Sequence, residues 1–319
     1  MIKSKLVFFF LFFVIVGCGS SKIIQTNIKN QISLTETERI VSVLASDSLQ
    51  GRYPFSETYE KSMSFVENFM KSNKIKPFYK ETYRDVLTQR SKSANIVGLI
   101  GDYDRNKEHI IIGAHLDHLG VSEDTSQRDT IFNGANDNAT GVTAVLLVAK
   151  ELAKHTFDKN IIVAIFTEEE LGLVGANHLA NRLKNEKVNI SYVLNYEMIG
   201  VPMLIGEDKV YVTGYKKSNL AQQMNKVAEK EFVVYLPEDD MYGLFEAADN
   251  FPFYQAFNIP SHTISSYDIK NYEHYHKLSD EINNLDIKHL NNIIQNSVDI
   301  IYRMLKNNVK IQLYDSIER

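Results

Sequence analysis

Residues 161–175 read Ile161-Ile162-Val163-Ala164-Ile165-Phe166-Thr167-Glu168-Glu169-Glu170-Leu171-Gly172-Leu173-Val174-Gly175. An apolar, β-branched run leads straight into three carboxylates and then into a close-packing segment punctuated by glycine. A run of that length bounded by polar residues is the pattern of a strand covered on both faces. Three adjacent carboxylates repel one another unless cations or solvent compensate. A solvated surface is the bland reading, but the apolar segment that follows places the carboxylates near the interior.

Similar short runs flank this one at 95–100, 109–113, 192–195 and 210–213. Helical patterns separate them. Met63, Val66, Phe69 and Met70 recur at helical spacing within 57–71, a helix starts near Gly141, and a last one covers 286–305. Thr35 and Glu38 form a capping box ahead of Ile40, Val41, Val43 and Leu44, so a helix opens the folded part. The alternation predicts an α/β fold in a single domain. Its sheet is mixed, mostly parallel and flanked by helices on both faces, with chemistry at the strand C-terminal ends.

The 319 residues, 44% of them apolar, suffice for one full core, and a formal charge of −5 gives no support to nucleic-acid binding. Lys3 and Lys5 precede an apolar run over 6–16 that is too short for a comfortable span and reads as an export signal. Ile15-Val16-Gly17-Cys18 resembles the bacterial lipobox, and Cys18 is the only cysteine. The expected organisation is a lipoprotein signal peptide (1–17), a lipidated tether (18–32) and a catalytic domain (33–319). That arrangement anchors the chain by lipid to a membrane of the bacterial envelope, with its catalytic domain outside the cytoplasm. An ordinary cleaved signal with an incidental cysteine is the alternative.

Polar motifs follow the strands in order: GAHLDHLG at 113–120, NGANDNATG at 133–141, TEEELGLVGA at 167–176, NYEMIG at 195–200 and HYHKLSD at 274–280. Two histidines and several carboxylates are the ligand set that a pair of divalent cations needs, so the first hypothesis is a two-metal hydrolase. In His115-x-Asp117 the strand alternation would let the aspartate accept the free ring N–H of the histidine. Taken alone, Asp137 between two asparagines also fits a turn or N-cap aspartate. Glu197 is enclosed by Val193, Leu194, Met198 and Ile199, and a carboxylate there needs a partner.

Together these residues resemble the di-zinc aminopeptidase family that includes aminopeptidase Y and glutamate carboxypeptidase II, with glutaminyl cyclases as relatives. Leu44-Ala45-Ser46-Asp47 and Gly51-Arg52 look like that family's N-terminal signature. The resemblance implies two Zn2+, one held by His115 and Glu197, the other by Glu170 and His276, with Asp137 bridging. It further implies Glu169 as general base, Tyr275 as oxyanion donor, Asp117 orienting His115, Asp280 in a supporting or packing role, and a cis peptide at Asp137-Asn138. Peptides with a free N-terminus are the implied substrates. Two departures stand out: Glu197 replaces the usual aspartate, and Asp249-Asn250 stands where the family commonly has serine-aspartate-histidine, which bears on substrate-side contacts.

His118 and His274 neighbour proposed ligands and are read as rim residues. His109, His155, His178, His262 and His289 are read as structural or exposed. The aromatic-rich stretch 235–267 lines a pocket or packs the core. Rival readings are a one-zinc glutaminyl cyclase, a dipeptidase or deacylase with an inserted dimerisation domain, and a peptide-binding lipoprotein on the same scaffold. The short interval between Glu197 and His276 weighs against the insertion, and the retention of every ligand type and of Glu169 weighs against the binding protein.

Overall fold

Burial on both faces builds the centre of the sheet: every residue of Ala94–Ile100, His109–His115 and Asn160–Phe166 is buried. The computed structural model describes residues 32–88, 92–124, 126 and 128–314. The expected signal peptide, Cys18 and nearly all of the tether lie outside the described residues.

In chain order the strands are Lys76–Pro77 (β1), Arg84–Val86 (β2), Ala94–Ile100 (β3), His109–His115 (β4), Gly120–Val121 (β5), Ile131–Phe132 (β6), Asn160–Phe166 (β7), Ile190–Tyr196 (β8), Val210–Val212 (β9), Val233–Val234 (β10) and Ser261–Ser265 (β11). The helices are Leu34–Leu44 (α1), Tyr59–Ser72 (α2), Gly141–Leu152 (α3), Val174–Asn185 (α4), Leu220–Ala228 (α5), Pro237–Tyr242 (α6), Asn250–Phe257 (α7) and Ile287–Lys306 (α8). Nine strands form one sheet in the order β1-β3-β7-β4-β8-β11-β9-β10, with β2 also on β3. Its centre, β7-β4-β8-β11, is parallel, whereas β3 runs antiparallel to β7 and β9 antiparallel to β11. The sheet is therefore mixed, with a parallel centre whose C-terminal ends emerge along one edge.

Strand alternation sorts the core into two layers. Ile110, Ile112, Ala114, Ile161, Val163 and Ile165 pack with residues of α1, α2, α3, α5 and α8. Ile111, Ile162, Ala164 and Phe166 face Ala176, Leu179 and Leu183 of α4 and Phe253 of α7. Helix α3 is mostly apolar and buried along nearly its whole length, which fits a central helix beneath the polar loop that precedes it. No helix among the described residues is long and apolar enough to cross a membrane.

One expectation is corrected, and one strand had no expectation. The cap of α1 is Ser33, whose Oγ accepts from Glu36 N at 3.1 Å, so the capping pair lies two residues before Thr35 and Glu38. Strand β11, next to β8 in the sheet, does not emerge from apolar periodicity because Ser261, His262, Thr263 and Ser265 dominate it. Those side chains are buried by pairing their polar groups: Thr263 Oγ1 donates to Asn250 Oδ1 at 2.8 Å and Ser261 Oγ to Asn250 O at 2.6 Å.

Candidate metal centre

Each parallel strand delivers one part of the site. β4 ends on His115, β7 is followed by Glu169 and Glu170, β8 by Glu197, and β11 leads into the loop carrying Tyr275 and His276. Asp137 comes from the tight turn Ala135–Thr140 ahead of α3. That turn opens on Gly134 at φ +56°, where a Cβ would meet Asp137 O at 2.2 Å, so only glycine fits. The Asp137–Asn138 peptide is cis.

Asp137 stands between two imidazoles. Its Oδ1 lies 3.2 Å from His115 Nε2, and its Oδ2 lies 3.1 Å from His276 Nε2. His276 Nε2 is also 3.1 Å from Glu170 Oε2. Ligand atoms of His115, Glu169 and Glu197 lie within 4.8 Å of one another, as do those of His118, Asp137 and Glu170. Neighbouring ligands around a tetrahedral zinc at ~2.0 Å are about 3.3 Å apart, so the 3.1–3.2 Å spacings suit a shared cation. His115 Nε2 and Glu197 Oε2 are buried without a hydrogen-bond partner, since the close His115–Asp137 approach lacks hydrogen-bond geometry. Buried polar atoms of this kind need a further ligand. The nitrogen and oxygen donor set fits zinc.

Supporting groups hold these side chains by their backbones. Asn138 Nδ2 donates to Tyr196 O at 2.9 Å, and its Oδ1 accepts from Gly141 N at 2.9 Å and Met198 N at 3.3 Å, tying the Asp137 turn to the segment around Glu197. Asp280, fully buried, accepts from Asn136 N at 2.7 Å, Asp137 N at 3.0 Å and the Tyr272 hydroxyl at 2.5 Å.

The expected contact between the Asp117 carboxylate and the His115 ring is absent. His115 Nδ1 instead faces the Asp117 backbone carbonyl at 3.1 Å, while the Asp117 carboxylate accepts from Glu169 N at 3.0 Å and Glu170 N at 3.2 Å. Backbone direction decides this: the chain turns after β4, so the side chain at 117 points across to the end of β7 and the carbonyl is left beside the ring.

Burial and crowding of like charges shape the electrostatics. Burial raises Glu169 well above the usual carboxylate range, His115 opposes it, and Glu197, Asp249 and Glu170 push it further. Burial likewise lifts Glu197 to about 7. For Asp137 burial is outweighed by His115 and His276, which hold it well below its usual value. Tyr275 lines the same pocket as Glu197 and stacks on the His276 ring at 4.0 Å. Burial, then Asp137 and the neighbouring glutamates, push its hydroxyl upward, so it remains a hydrogen-bond donor at neutral pH.

Two residues, His118 and Asp249, differ from their sequence readings. His118 is fully buried, not on the rim, and its Nδ1 lies 2.8 Å from Glu170 Oε1. The signal was its place three residues after His115 in one short loop. His274 is half-buried, with its Nδ1 2.9 Å from Ser279 Oγ. Asp249 is fully buried with both oxygens lacking partners, and it feels His115 and Glu197, so it belongs beside the ligands as well as near the substrate side. Glu168, the third carboxylate of its run, turns to Ser93 Oγ and leaves the cluster.

The wider family is visible in both sequence and fold. An aminopeptidase of Pseudomonas aeruginosa is 33% identical over 121 residues, 37% of this chain and 20% of that protein. The chain spans about a fifth of the length of the first curated relatives it matches. In fold it is similar to BSAP, a zinc aminopeptidase from Bacillus subtilis, with TM-score 0.64 and 15% identity over 86% of this chain and 95% of that one. A glutaminyl cyclase of Bacteroides thetaiotaomicron gives TM-score 0.63 and 16% identity over 86% and 99%. The profile of Peptidase family M28 matches residues 95–301, the interval that holds every strand end described above, and the chain belongs to that family.

Proposed function

We propose that this protein is a metal-dependent aminopeptidase that removes N-terminal residues from peptides with two zinc ions. The observation that carries the reading is Asp137, with one carboxylate oxygen toward His115 and the other toward His276. His115 and Glu197 would hold one ion, Glu170 and His276 the other, and Asp137 both. Zinc there supplies Lewis acidity toward a water and a carbonyl.

The chain's own groups account for the rest. Glu169, anchored through its amide by Asp117, takes a proton from the attacking water and gives it to the leaving amine. The Tyr275 hydroxyl donates to the oxygen of the attacked carbonyl. Beside Glu197 lies a pocket of about 140 Å³ lined by Met198, Tyr211, Leu244, Ala247, Ala248 and Tyr267, with Thr213 and Thr263 also on its wall. A cavity of ~150 Å³ lined by apolar groups takes a benzene-sized group, so the pocket suits one apolar or aromatic side chain at the substrate N-terminus.

The export-signal pattern over 1–17 and the lone Cys18 support a lipid-anchored form in the bacterial envelope, acting outside the cytoplasm. The test of activity is incubation of the zinc-loaded protein with free and N-acetylated peptides, one of them beginning with glutamine, followed by mass with and without chelator. Chelator-sensitive loss of one residue from free peptides alone is expected. Ammonia loss from the glutamine peptide would favour a cyclase, and unchanged masses would refute the enzyme reading.

A further inference from the structure

Arg52 lies before the family match, contacts no carboxylate by hydrogen bond, and is 1% exposed. All five N–H donors of its guanidinium meet backbone carbonyls. Nε donates to Leu116 O at 2.8 Å; Nη1 to Leu44 O at 2.7 Å and to Asn133 O; Nη2 to Gly134 O at 2.9 Å and Asp137 O at 3.3 Å. Its own carbonyl accepts from His118 N at 3.3 Å. One side chain thus joins the end of α1, the loop after His115 and the turn that carries Asp137.

The approach to this position is tightly constrained. Gly51 and Arg52 have φ of +66° and +50°. A Cβ on Gly51 would meet Gly120 O at 2.3 Å and Phe132 O at 2.6 Å. The backbone is pressed against the β5–β6 ribbon so that the guanidinium reaches inward.

Asp280 grips the same turn from its amides, accepting from Asn136 N and Asp137 N. The N–H of Asp137 is therefore held by an anion and its C=O by a cation. With both ends of that residue fixed, the direction of its side chain is set before any ion arrives.

We propose that Arg52 is a positioning residue for the metal centre: its guanidinium clamps the backbone bearing Asp137 to the backbone bearing His115, opposite Asp280. The inference rests on the metal reading above. Only a planar fork with five donors can fill these places; a lysine ammonium has three donors at one point.

Charge and geometry make opposite forecasts. A cation near the site repels a bound ion, so an influence through charge alone predicts tighter zinc binding once Arg52 is neutralised. Loss of the clamp predicts weaker binding. The experiment is a competition titration of zinc into the folded, metal-depleted full chain for wild type, Arg52→Lys and Arg52→Met. Ile293→Ala in the buried face of α8 serves as a destabilised control. Expected is a 10- to 100-fold rise in Kd for both Arg52 variants, the usual effect of removing an outer-shell partner, with Ile293→Ala unchanged. Unaltered or tighter binding in the Arg52 variants would overturn the clamp. Wild-type protein that takes up no zinc would refute the metal reading itself.

Should the variants fail to fold, hydrogen exchange of the metal-depleted wild type decides. The amides of Asn136, Asp137 and Ala139 are expected to exchange as slowly as those of α3. Exchange at the rate of an open loop would show that the turn is not pre-set and would overturn the proposal.

Discussion

Replacing Asp280 by alanine removes three acceptor contacts at once, to Asn136 N, Asp137 N and the Tyr272 hydroxyl. The two amides belong to residues buried inside the fold. Leaving a buried donor unpaired costs about 1–3 kcal/mol, so the two amides give about 2–6 kcal/mol and the phenol adds about 1 kcal/mol. One effect opposes this loss: burial raises the Asp280 carboxyl, so relief of that buried charge returns part of the cost. The expected net loss is about 3 kcal/mol, toward the low end for removing one partner of a buried charged network. Urea unfolding of the chelator-treated protein measures it, through a lower midpoint at unchanged slope. Tyr272→Phe, which loses only the phenol contact, should cost about 1 kcal/mol. If Asp280→Ala costs no more than Tyr272→Phe, the carboxylate does not hold the Asp137 turn.

Other perturbations reach different parts of the structure. His262 is buried between Thr213 O and Ser218 Oγ, and burial pushes it down to about 4. Its folded value lies below the unfolded ~6.5, so its contribution is complete above pH 6.5 and is lost as pH falls toward 4, by about 3 kcal/mol in total. The stability difference between wild type and His262→Gln should therefore shrink over that window, and a difference independent of pH would contradict the assignment. Asp117→Asn keeps the backbone carbonyl that faces His115 Nδ1. Nitrogen NMR should find the His115 tautomer unchanged while kcat falls about 10- to 100-fold through the Glu169–Glu170 backbone; a changed tautomer would restore a side-chain role. Ala247→Leu at the exposed side of the pocket should lower kcat/KM about tenfold for peptides beginning with phenylalanine and little for those beginning with alanine. An equal loss on both would move the specificity pocket elsewhere.

The central strands were legible because their β-branched runs are buried on both faces, a demand that composition alone reveals. Their order along the chain then put His115, Glu169, Glu170 and Glu197 on one edge of the sheet. Strand β11 was not legible, since its buried Ser261, His262 and Thr263 are satisfied by Asn250 and Thr213, partners outside the strand. Asp117 was read as reaching back to His115 because strand alternation was carried one turn too far. Once the chain leaves the strand, side-chain direction follows the turn. The depth of His118 and Asp249 depended on loops closing over them, which local periodicity does not encode. Arg52 could be seen only as part of a motif, because its partners are five carbonyls from three segments.

The most direct test of the account is native mass spectrometry of the metal-depleted chain titrated with zinc, alongside Asp137→Ala. Two zinc ions per chain in the wild type, with both sites weakened together in the variant, are the predicted result. Saturation at one ion, or a variant that still takes up two with unchanged affinity, would contradict a centre bridged by Asp137.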